Sequence, residues 1–270
     1  MLRQRLLTVA VLLPVLLAAM FLLPAFWWQL ALLPPLLIAG REWSRLAGFG
    51  GAYEAAFIAA LAVSTGLLWM VLVPGTINDA ARSVISHTVC VFSAAFWLVI
   101  VPCWLWLKLT VRDRFVLAAT GIMVLLPTWY ALAQLQRDAG SLLVLLGVVW
   151  IADTSAYFAG RAFGRHKLAP AVSPGKTWEG VAGAFAGVAV YALVLSLVNF
   201  QDRDFYFLVA VFSGMTAFSI VGDLFESWLK RGAGVKDSGA ILPGHGGLLD
   251  RIDGMLAAMP LAALIFVQPV

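Results

Sequence analysis

Side chains that could bind metal ions or anions are concentrated near the C-terminus, in residues 223–254. Charge at this density between apolar segments is costly unless the groups pair or bind a ligand. The stretch is therefore the first candidate for a functional site. Its charged residues and histidine are Asp223, Glu226, Lys230, Arg231, Lys236, Asp237, His245, Asp250, Arg251 and Asp253.

The spacing of the acids suggests a metal site. Asp250 and Asp253 are three positions apart, so both carboxylates share one face if Asp250 opens the last helix. One or two carboxylates, together with substrate phosphates and water, suit Mg²⁺. Asp223, one turn before Ser227 at the end of another apolar segment, could complete the site across two helices. Arg251 projects elsewhere and could hold a phosphate or an acid.

A glycine-rich run beside these acids is suited to anions. Backbone amides at Gly246 and Gly247 can approach an anion without side-chain obstruction. Lys230, Arg231 and Lys236 supply cations for a polyphosphate. Metal, cations and glycines together indicate phosphoryl or nucleotidyl transfer, in which catalysis is mainly positioning and charge neutralisation.

Each feature also has an ordinary structural explanation. Glu226 and Lys230 could be a simple i,i+4 helix pair, and His245 could be a surface residue. The lysines and arginines could be a topology signal only. The density of such groups between residues 230 and 253 favours the functional interpretation.

A second polar stretch covers residues 160–180. Its Ser173-Pro-Gly-Lys176-Thr sequence ends like a P-loop, but Pro170 occupies the required glycine position and no strand is expected before it, so a Walker site is rejected. Lys176, with Ser173 and Glu179, could still bind phosphate from a helix N-terminus. Asp153, near the end of an apolar segment, is a further candidate, with helix capping as the alternative.

The elements that carry these residues must lie in a membrane. The chain of 270 residues is 62% hydrophobic and 12% charged, about half the charge of a soluble domain. Long uncharged runs recur along its length. We predict an all-α polytopic protein with about nine transmembrane spans, the first uncleaved, near 6–23, 25–39, 55–73, 84–107, 115–135, 141–159, 178–199, 205–222 and 254–269.

The basic residues predict the orientation. With nine spans and a cytoplasmic N-terminus, Arg82, Arg137 and Arg203 fall outside, which leaves 15 of the 18 lysines and arginines on the cytoplasmic face. This asymmetry is what the positive-inside rule predicts. Both polar stretches then face the cytoplasm. We divide the chain into an N-terminal transmembrane region, 1–140, and a C-terminal catalytic region, 141–270.

The polar residues also resemble a family signature. Ser227-Trp-Leu-Lys230-Arg231, Lys236-Asp237 and His245-Gly246-Gly247-Leu-Leu-Asp250-Arg251-Ile-Asp253 resemble the signature of phosphatidate cytidylyltransferases throughout. The resemblance extends to residues 173–180 and to Asp153-Thr-Ser-Ala-Tyr157. Length and span count are similar to those of bacterial members.

The resemblance implies an Mg²⁺-dependent reaction of CTP with phosphatidic acid that gives CDP-diacylglycerol and pyrophosphate. Asp223, Asp250 and Asp253 would be associated with the metal, and a second cation is left open. Lys230, Arg231 and Lys236 would hold phosphates. His245 and the glycines would shape the nucleotide pocket. The implied location is the bacterial cytoplasmic membrane.

Other functions predict different patterns. A CDP-alcohol phosphotransferase would have a second aspartate pair, which is lacking after Asp253. A CTP-dependent polyprenol kinase remains the alternative closest in substrate use. A transporter would place charges near mid-span and show an inverted repeat. No nucleic-acid partner is expected, because the basic residues suit lipid headgroups. A homodimer is left open.

Overall fold

The computed structural model describes residues 2–73, 75–198, 200, 203–242, 244 and 246–267, with side chains from Thr8 onward. The described chain is mostly helical. Its elements are α1 Leu2–Leu22, α2 Ala25–Ala31, α3 Leu33–Leu46, α4 Ala52–Leu72, α5 Asp79–Ala95, a π-helical turn Phe96–Ile100, α6 Val101–Trp106, α7 Arg114–Leu135, a 3₁₀ turn Gln136–Asp138, α8 Ala139–Phe163, β1 Lys167–Ala169, β2 Ser173–Thr177, α9 Trp178–Leu197, α10 Phe205–Gly232 and α11 Leu249–Phe266.

The helices have the length and composition of a membrane protein. Large apolar side chains such as Leu22, Val63 and Trp106 are exposed on their outer faces, and lipid is the solvent that can cover them. The protein is therefore an α-helical membrane protein, whereas the number of spans and their orientation stay predictions. Five helical stretches of the described chain could cross a membrane: Ala52–Leu72, Asp79–Trp106, Arg114–Phe163, Trp178–Leu197 and Phe205–Gly232.

Two boundaries differ from the sequence prediction. The apolar window 25–39 is divided at Leu32 between α2 and α3. Helix α10 does not stop near residue 222 but continues to Gly232, so the connection to α11 shrinks to residues 233–248. The extension is possible because its polar residues share one face, while Phe225 and Leu229 are buried on another.

The expectation that no strand precedes Lys176 was wrong. Strands β1 and β2 form an antiparallel hairpin, with Lys167 opposite Thr177 and Ala169 opposite Ser173. Thr177 then caps α9, since its side-chain oxygen accepts a hydrogen bond from Gly180 N at 3.1 Å. The hairpin thus leads directly into the helix and holds Lys176 one residue before its cap.

The C-terminal part of α3 and three connections meet at one end of the helix bundle, which we call the polar end. The three connections are residues 107–113, 164–177 and 233–248. Trp228 on α10 donates to Leu109 O at 3.0 Å, and Arg231 donates to Val172 O at 3.3 Å. At the opposite end, the side chain of Gln136 reaches the carbonyls at the C-terminus of α1. The candidate residues of α10, α11 and the hairpin therefore lie at the same end.

An aromatic cluster packs around buried Phe225 of α10, next to the polar end. Phe225 is 1% exposed, and its ring centroid lies 6.5 Å from that of Trp43, 5.7 Å from Trp97 and 5.4 Å from Trp104. The contacts with Trp97 and Trp104 are edge-to-face, and such contacts contribute beyond the area that they bury. The cluster fixes the rotation of α10, and therefore the direction of the polar residues on its other face.

Close backbone contact joins α10 to α11. A Cβ atom at Gly222 would lie only 2.6 Å from the carbonyl oxygen of Asp253, so glycine is what allows this approach. The residue after Gly222 is Asp223. Asp223 of α10 and Asp253 of α11 therefore both lie at the point where the two helices touch.

Candidate active site

The C-terminal half of α10 presents the site's central face. Asp223, Glu226, Ser227 and Lys230 follow one another at intervals of three, one and three residues, so they share one side of the helix. Glu226 and Lys230 are buried, whereas Asp223 and Ser227 are half-buried. The helix thus directs a carboxylate and an ammonium group into the protein beside two partly accessible groups.

Two residues of this face, Glu226 and Lys230, form a buried ion triad with Asp250 of α11. Lys230 Nζ lies 2.5 Å from Glu226 Oε2 and 2.6 Å from Asp250 Oδ1. The side chains of Lys230, Glu226 and Asp250 are 10%, 1% and 6% exposed. Removing one partner of such a buried group leaves an uncompensated charge, which is strongly destabilising. The triad therefore ties the start of α11 to α10.

The connection 233–248 is wrapped around Asp250. The carboxylate of Asp250 accepts hydrogen bonds from Gly247 N at 2.8 Å and from Ser238 N at 3.0 Å. Gly246 adopts a φ of 85°, and a Cβ there would lie 2.8 Å from Asp250 Oδ2. A residue with a side chain would be strained at this position and would collide with the carboxylate. Asp250 is thus the organiser of the glycine-rich run.

A second charged group lies nearer the hairpin. Lys176 Nζ is 2.5 Å from Asp223 Oδ2, and Ser227 Oγ is 3.4 Å from Asp223 Oδ1. Asp153 on α8 and Asp253 on α11 are each close enough to Asp223 and Lys176 to interact electrostatically. Three carboxylates from three helices therefore surround one lysine that the hairpin supplies.

A buried acid that the sequence analysis did not select also belongs to the site. Glu42 on α3 is 5% exposed and accepts hydrogen bonds from Leu248 N at 3.0 Å, Leu249 N at 2.8 Å and Ser238 Oγ at 3.2 Å. It therefore caps the start of α11 from the N-terminal region. Two glycines make room for it, because Cβ atoms at Gly239 and Gly247 would lie 2.4 and 2.8 Å from Glu42 Oε1.

One feature of the sequence singles out Glu42: it stands between Arg41 and Arg45 in a chain with only 14 acidic residues. An acid in such a setting is typically part of a solvated ion pair. The arginines, however, pair with Glu54 at 2.8 and 3.5 Å. No motif spacing links residue 42 to residue 248, so only the folded chain brings them together.

Other predicted residues lie at the edge of the site. Glu179 accepts from His166 Nδ1 at 2.6 Å and so closes the hairpin. Arg231 turns away from the triad, toward the carbonyls of Val172 and Val235. Lys236 is exposed and makes no ion pair with the residues that the structure describes. Further edge residues are Ser173, half-buried in β2, and Asp237 and Arg251, both exposed; His245 lies outside the described residues.

The acids of this site fit a hard cation only in part. Within the described ranges, no three His, Cys, Asp or Glu side chains converge closely enough to hold an ion by themselves. Asp250 is already occupied by Lys230 and two backbone amides. Asp223 and Asp253, on facing helices, are the better fit for Mg²⁺, which takes few carboxylates and completes its shell with phosphates and water.

Comparison with known proteins identifies the family of this chain. Residues 3–268 match the sequence model of the cytidylyltransferase family. The chain belongs to that family. The resemblance to this family is thus confirmed, and the match covers nearly the whole chain.

Individual relatives agree with the family assignment. The chain is 37% identical to the phosphatidate cytidylyltransferase of Pseudomonas aeruginosa, covering 98% of this chain and 97% of that protein. It is 33% identical to the protein of the same name from Haemophilus influenzae, covering 96% of each. The protein of that name from Thermotoga maritima is 41% identical over 55% of this chain and 58% of its own.

Proposed function

We propose that the protein transfers a cytidylyl group from CTP to phosphatidic acid, which gives CDP-diacylglycerol and pyrophosphate. The observation that carries this proposal is the near full-length match to two proteins named phosphatidate cytidylyltransferase. The polar end supports it, because it gathers acids, lysines and a glycine-rich connection at one end of an apolar bundle. That is where a lipid headgroup and a soluble nucleotide can meet.

The chemistry is a phosphoryl substitution. A phosphate oxygen of phosphatidic acid attacks the α-phosphorus of CTP and forms the new P–O bond. The bond from the α-phosphorus to the oxygen bridging it to the β-phosphate breaks, and its electron pair leaves with pyrophosphate. Positioning of the phosphates and neutralisation of their charge are what the protein must supply.

We assign the cationic side chains two kinds of role. Lys230 is buried between two carboxylates, so it positions Asp250 and does not reach a phosphate. Lys236, Arg231 and Arg251 are exposed at the polar end and are the groups that can meet the phosphates of CTP or of the lipid. Lys176 can exchange Asp223 for a phosphate, because the pair is only partly buried.

We assign Mg²⁺ to Asp223 and Asp253, with a second cation left open. When bound, the metal would neutralise charge on the phosphates of CTP. Asp250, which is held by Lys230 and by the amides of Ser238 and Gly247, would act by fixing the connection beside the metal. The further assignments remain those that the signature implies: Ser173, Glu179, Ser227, Gly246 and Gly247 for substrate binding, and Asp237 and His245 for catalysis.

The decisive test is incorporation of label from α-³²P-CTP into lipid by the purified full-length protein. We expect labelled CDP-diacylglycerol with phosphatidic acid, loss of the product when Mg²⁺ is chelated, and no product with a polyprenol. A CTP-dependent polyprenol kinase transfers the terminal phosphate instead, so product labelled only from γ-³²P-CTP on polyprenol would overturn the proposal.

We also propose that the polar end faces the cytoplasm in the cytoplasmic membrane. The distribution of lysine and arginine supports this. Single cysteines at Gly175 and Gly232, where nothing crowds an added side chain, should react with an impermeant thiol reagent from the cytoplasmic side. A cysteine at Arg203 should react from the other side. The background would carry Cys103→Ser, since Cys103 is exposed and Cys90 buried; labelling of 175 or 232 from outside would reverse the orientation.

A further inference from the structure

A large cavity lies at the polar end, where α10 ends. Its volume is about 630 Å³. It opens between α3, the 107–113 connection, the turn of the hairpin and the end of α10. We call it the tryptophan–arginine cavity after six of its lining residues, Trp43, Trp104, Trp228, Arg45, Arg112 and Arg231. None of the roles assigned above to the triad or to the acids on α10 and α11 uses this space.

The tryptophans give the cavity an apolar wall. Trp104 and Trp228 both donate their indole N–H to the carbonyl of Leu109, at 2.9 and 3.0 Å. Trp43 donates to Leu117 O at 2.8 Å. Because all three indole N–H groups donate to backbone carbonyls, the rings would contact a bound ligand through their hydrocarbon surfaces. Leu46, Val111 and other aliphatic residues complete this wall.

The arginines give the cavity its charge. Arg231 is fixed by the carbonyls of Val172 and Val235 at 3.3 and 3.1 Å. Arg112 forms no ion pair with any described residue, and the described acid that pairs with Arg45 is Glu54, at 3.5 Å. Among the described residues that line the cavity there is no carboxylate. A phosphate anion complements the charge of three guanidinium groups that have no carboxylate beside them in the described lining.

The rest of the lining discriminates between phosphate compounds. A nucleobase is recognised by polar groups that meet its edges, and here the one uncharged polar side chain on the wall is Thr110, within the part of the chain that the structure describes. A phospholipid needs only a cationic site for its phosphate and apolar surface for its chains. The combination of arginines and tryptophans therefore favours a lipid over CTP.

We propose that the tryptophan–arginine cavity binds the phosphate of phosphatidic acid, with the start of its acyl chains along the tryptophan wall. This rests on the proposed function, which makes phosphatidic acid a substrate. Arg231 directly follows Lys230 on α10 but points toward the hairpin turn, so the phosphate is held at the end of α10, on a different face of the helix from the triad. Arg112, which lies outside every signature segment, becomes a determinant of lipid binding.

The kinetic test compares Arg112→Gln with Arg114→Gln in mixed micelles. Arg114 is a matched control two residues away, because its guanidinium lies over the Tyr53 ring at 5.3 Å and does not line the cavity. We expect Arg112→Gln to raise KM for phosphatidic acid about tenfold, the effect of one charge-assisted hydrogen bond. Its kcat and its KM for CTP should stay within about twofold, as should all constants of the control.

A binding test makes this proposal separable from the proposed function. Full-length protein in nanodiscs of phosphatidylcholine would be irradiated with phosphatidic acid that carries a diazirine in its acyl chain. We expect crosslinks in residues 104–117 and 228–233 that unlabelled phosphatidic acid competes away and that Arg112→Gln diminishes. Such crosslinks in a protein that made no CDP-diacylglycerol would support the cavity while overturning the function.

Three results would overturn the cavity assignment. A rise in KM for CTP alone would show that the space holds the nucleotide. Competition by phosphatidylglycerol as strong as that by phosphatidic acid would show a site for anionic lipids in general. Unchanged kinetics and crosslinking in Arg112→Gln would show that the arginines do not hold this substrate.

Discussion

The two ends of the helix bundle use buried charge in different ways. At the polar end, buried charged side chains pair with one another across helices, since Lys230 of α10 lies between Glu226 of the same helix and Asp250 of α11. At the opposite end, buried Arg82 reaches back to the carbonyls of Val71 and Val73, at 3.0 and 3.3 Å, where α4 ends. Its acid partner is the exposed Asp79 of its own helix.

This difference separates stability from function. A cation on the last carbonyls of a helix stabilises that helix locally. A buried ion cluster across two helices gains little net stability over an apolar core, so its presence at one end indicates a task other than folding. Substitutions at the two ends should therefore differ in what they damage.

The largest expected effect is that of Lys230→Met. It leaves Glu226 and Asp250 buried without their cation, which should lower the free energy of unfolding by ~3–5 kcal/mol. Activity of the folded fraction should fall at least ~100-fold, the usual effect of losing a preorganised charge. Thermal unfolding in detergent and the CTP incorporation assay measure the two. Normal turnover would show that the triad is purely structural.

Asp250→Asn and Asp253→Asn should each lower kcat by ~100-fold but should differ in stability. Asp250→Asn removes a partner of Lys230 and should lower Tm, whereas Asp253 forms no ion pair among the described residues, since Lys176 pairs with Asp223, and its Asn variant should unfold near the wild-type temperature. Asp204→Asn is the control, because Asp204 caps α10 through Phe207 N and asparagine caps comparably. Near-normal turnover in both test variants would place the metal site elsewhere.

Glu42→Gln should have an intermediate effect. The amide keeps one acceptor oxygen but turns its NH2 toward the N–H of either Leu248 or Leu249, so the start of α11 should shift, with a cost of ~1–3 kcal/mol. A small displacement of Asp250 should reduce kcat about tenfold while KM for CTP changes little. Glu54→Gln, on the neighbouring helix, changes an exposed ion-pair site and should leave both quantities nearly unchanged. Equal behaviour of the two variants would refute the positioning role.

The smallest effect on turnover should come from Arg82→Gln at the opposite end. Loss of the guanidinium from the carbonyls of α4 should reduce stability by ~1 kcal/mol. Turnover per folded molecule should remain within about twofold, as measured by active-site titration alongside the incorporation assay. A specific loss of turnover would show that the two ends are coupled.

How far the sequence predicts this molecule depends on whether a feature is local. Apolar runs predict the helices, because lipid imposes the pattern residue by residue. The signature residues predict the region of the site, and the structure brings Lys230, Asp250 and Gly247 together. The hairpin was missed, since strands of three and five residues containing Pro174 and Gly175 carry little strand signal.

Long-range partners could not be predicted. Glu42 meets Ser238 across 196 positions, and no local pattern records such a contact. Lys176 meets Asp223 only because the hairpin lies over α10. The division near residue 140 into two regions stays a prediction, although the bond from Glu42 to the connection 233–248 crosses it.

The crowding around Glu42 also constrains which sequences can diverge from this one. Its carboxylate fills the space that a side chain at residue 239 would need, whereas at residue 247 an added side chain would first meet Ser238 and the backbone of Gly239. A relative that has alanine or serine at 239 should therefore have a shorter residue at 42, and positions 42 and 239 should covary. Two residues separated by some two hundred positions would then change together in evolution, and a library randomised at both sites should recover active clones in those combinations.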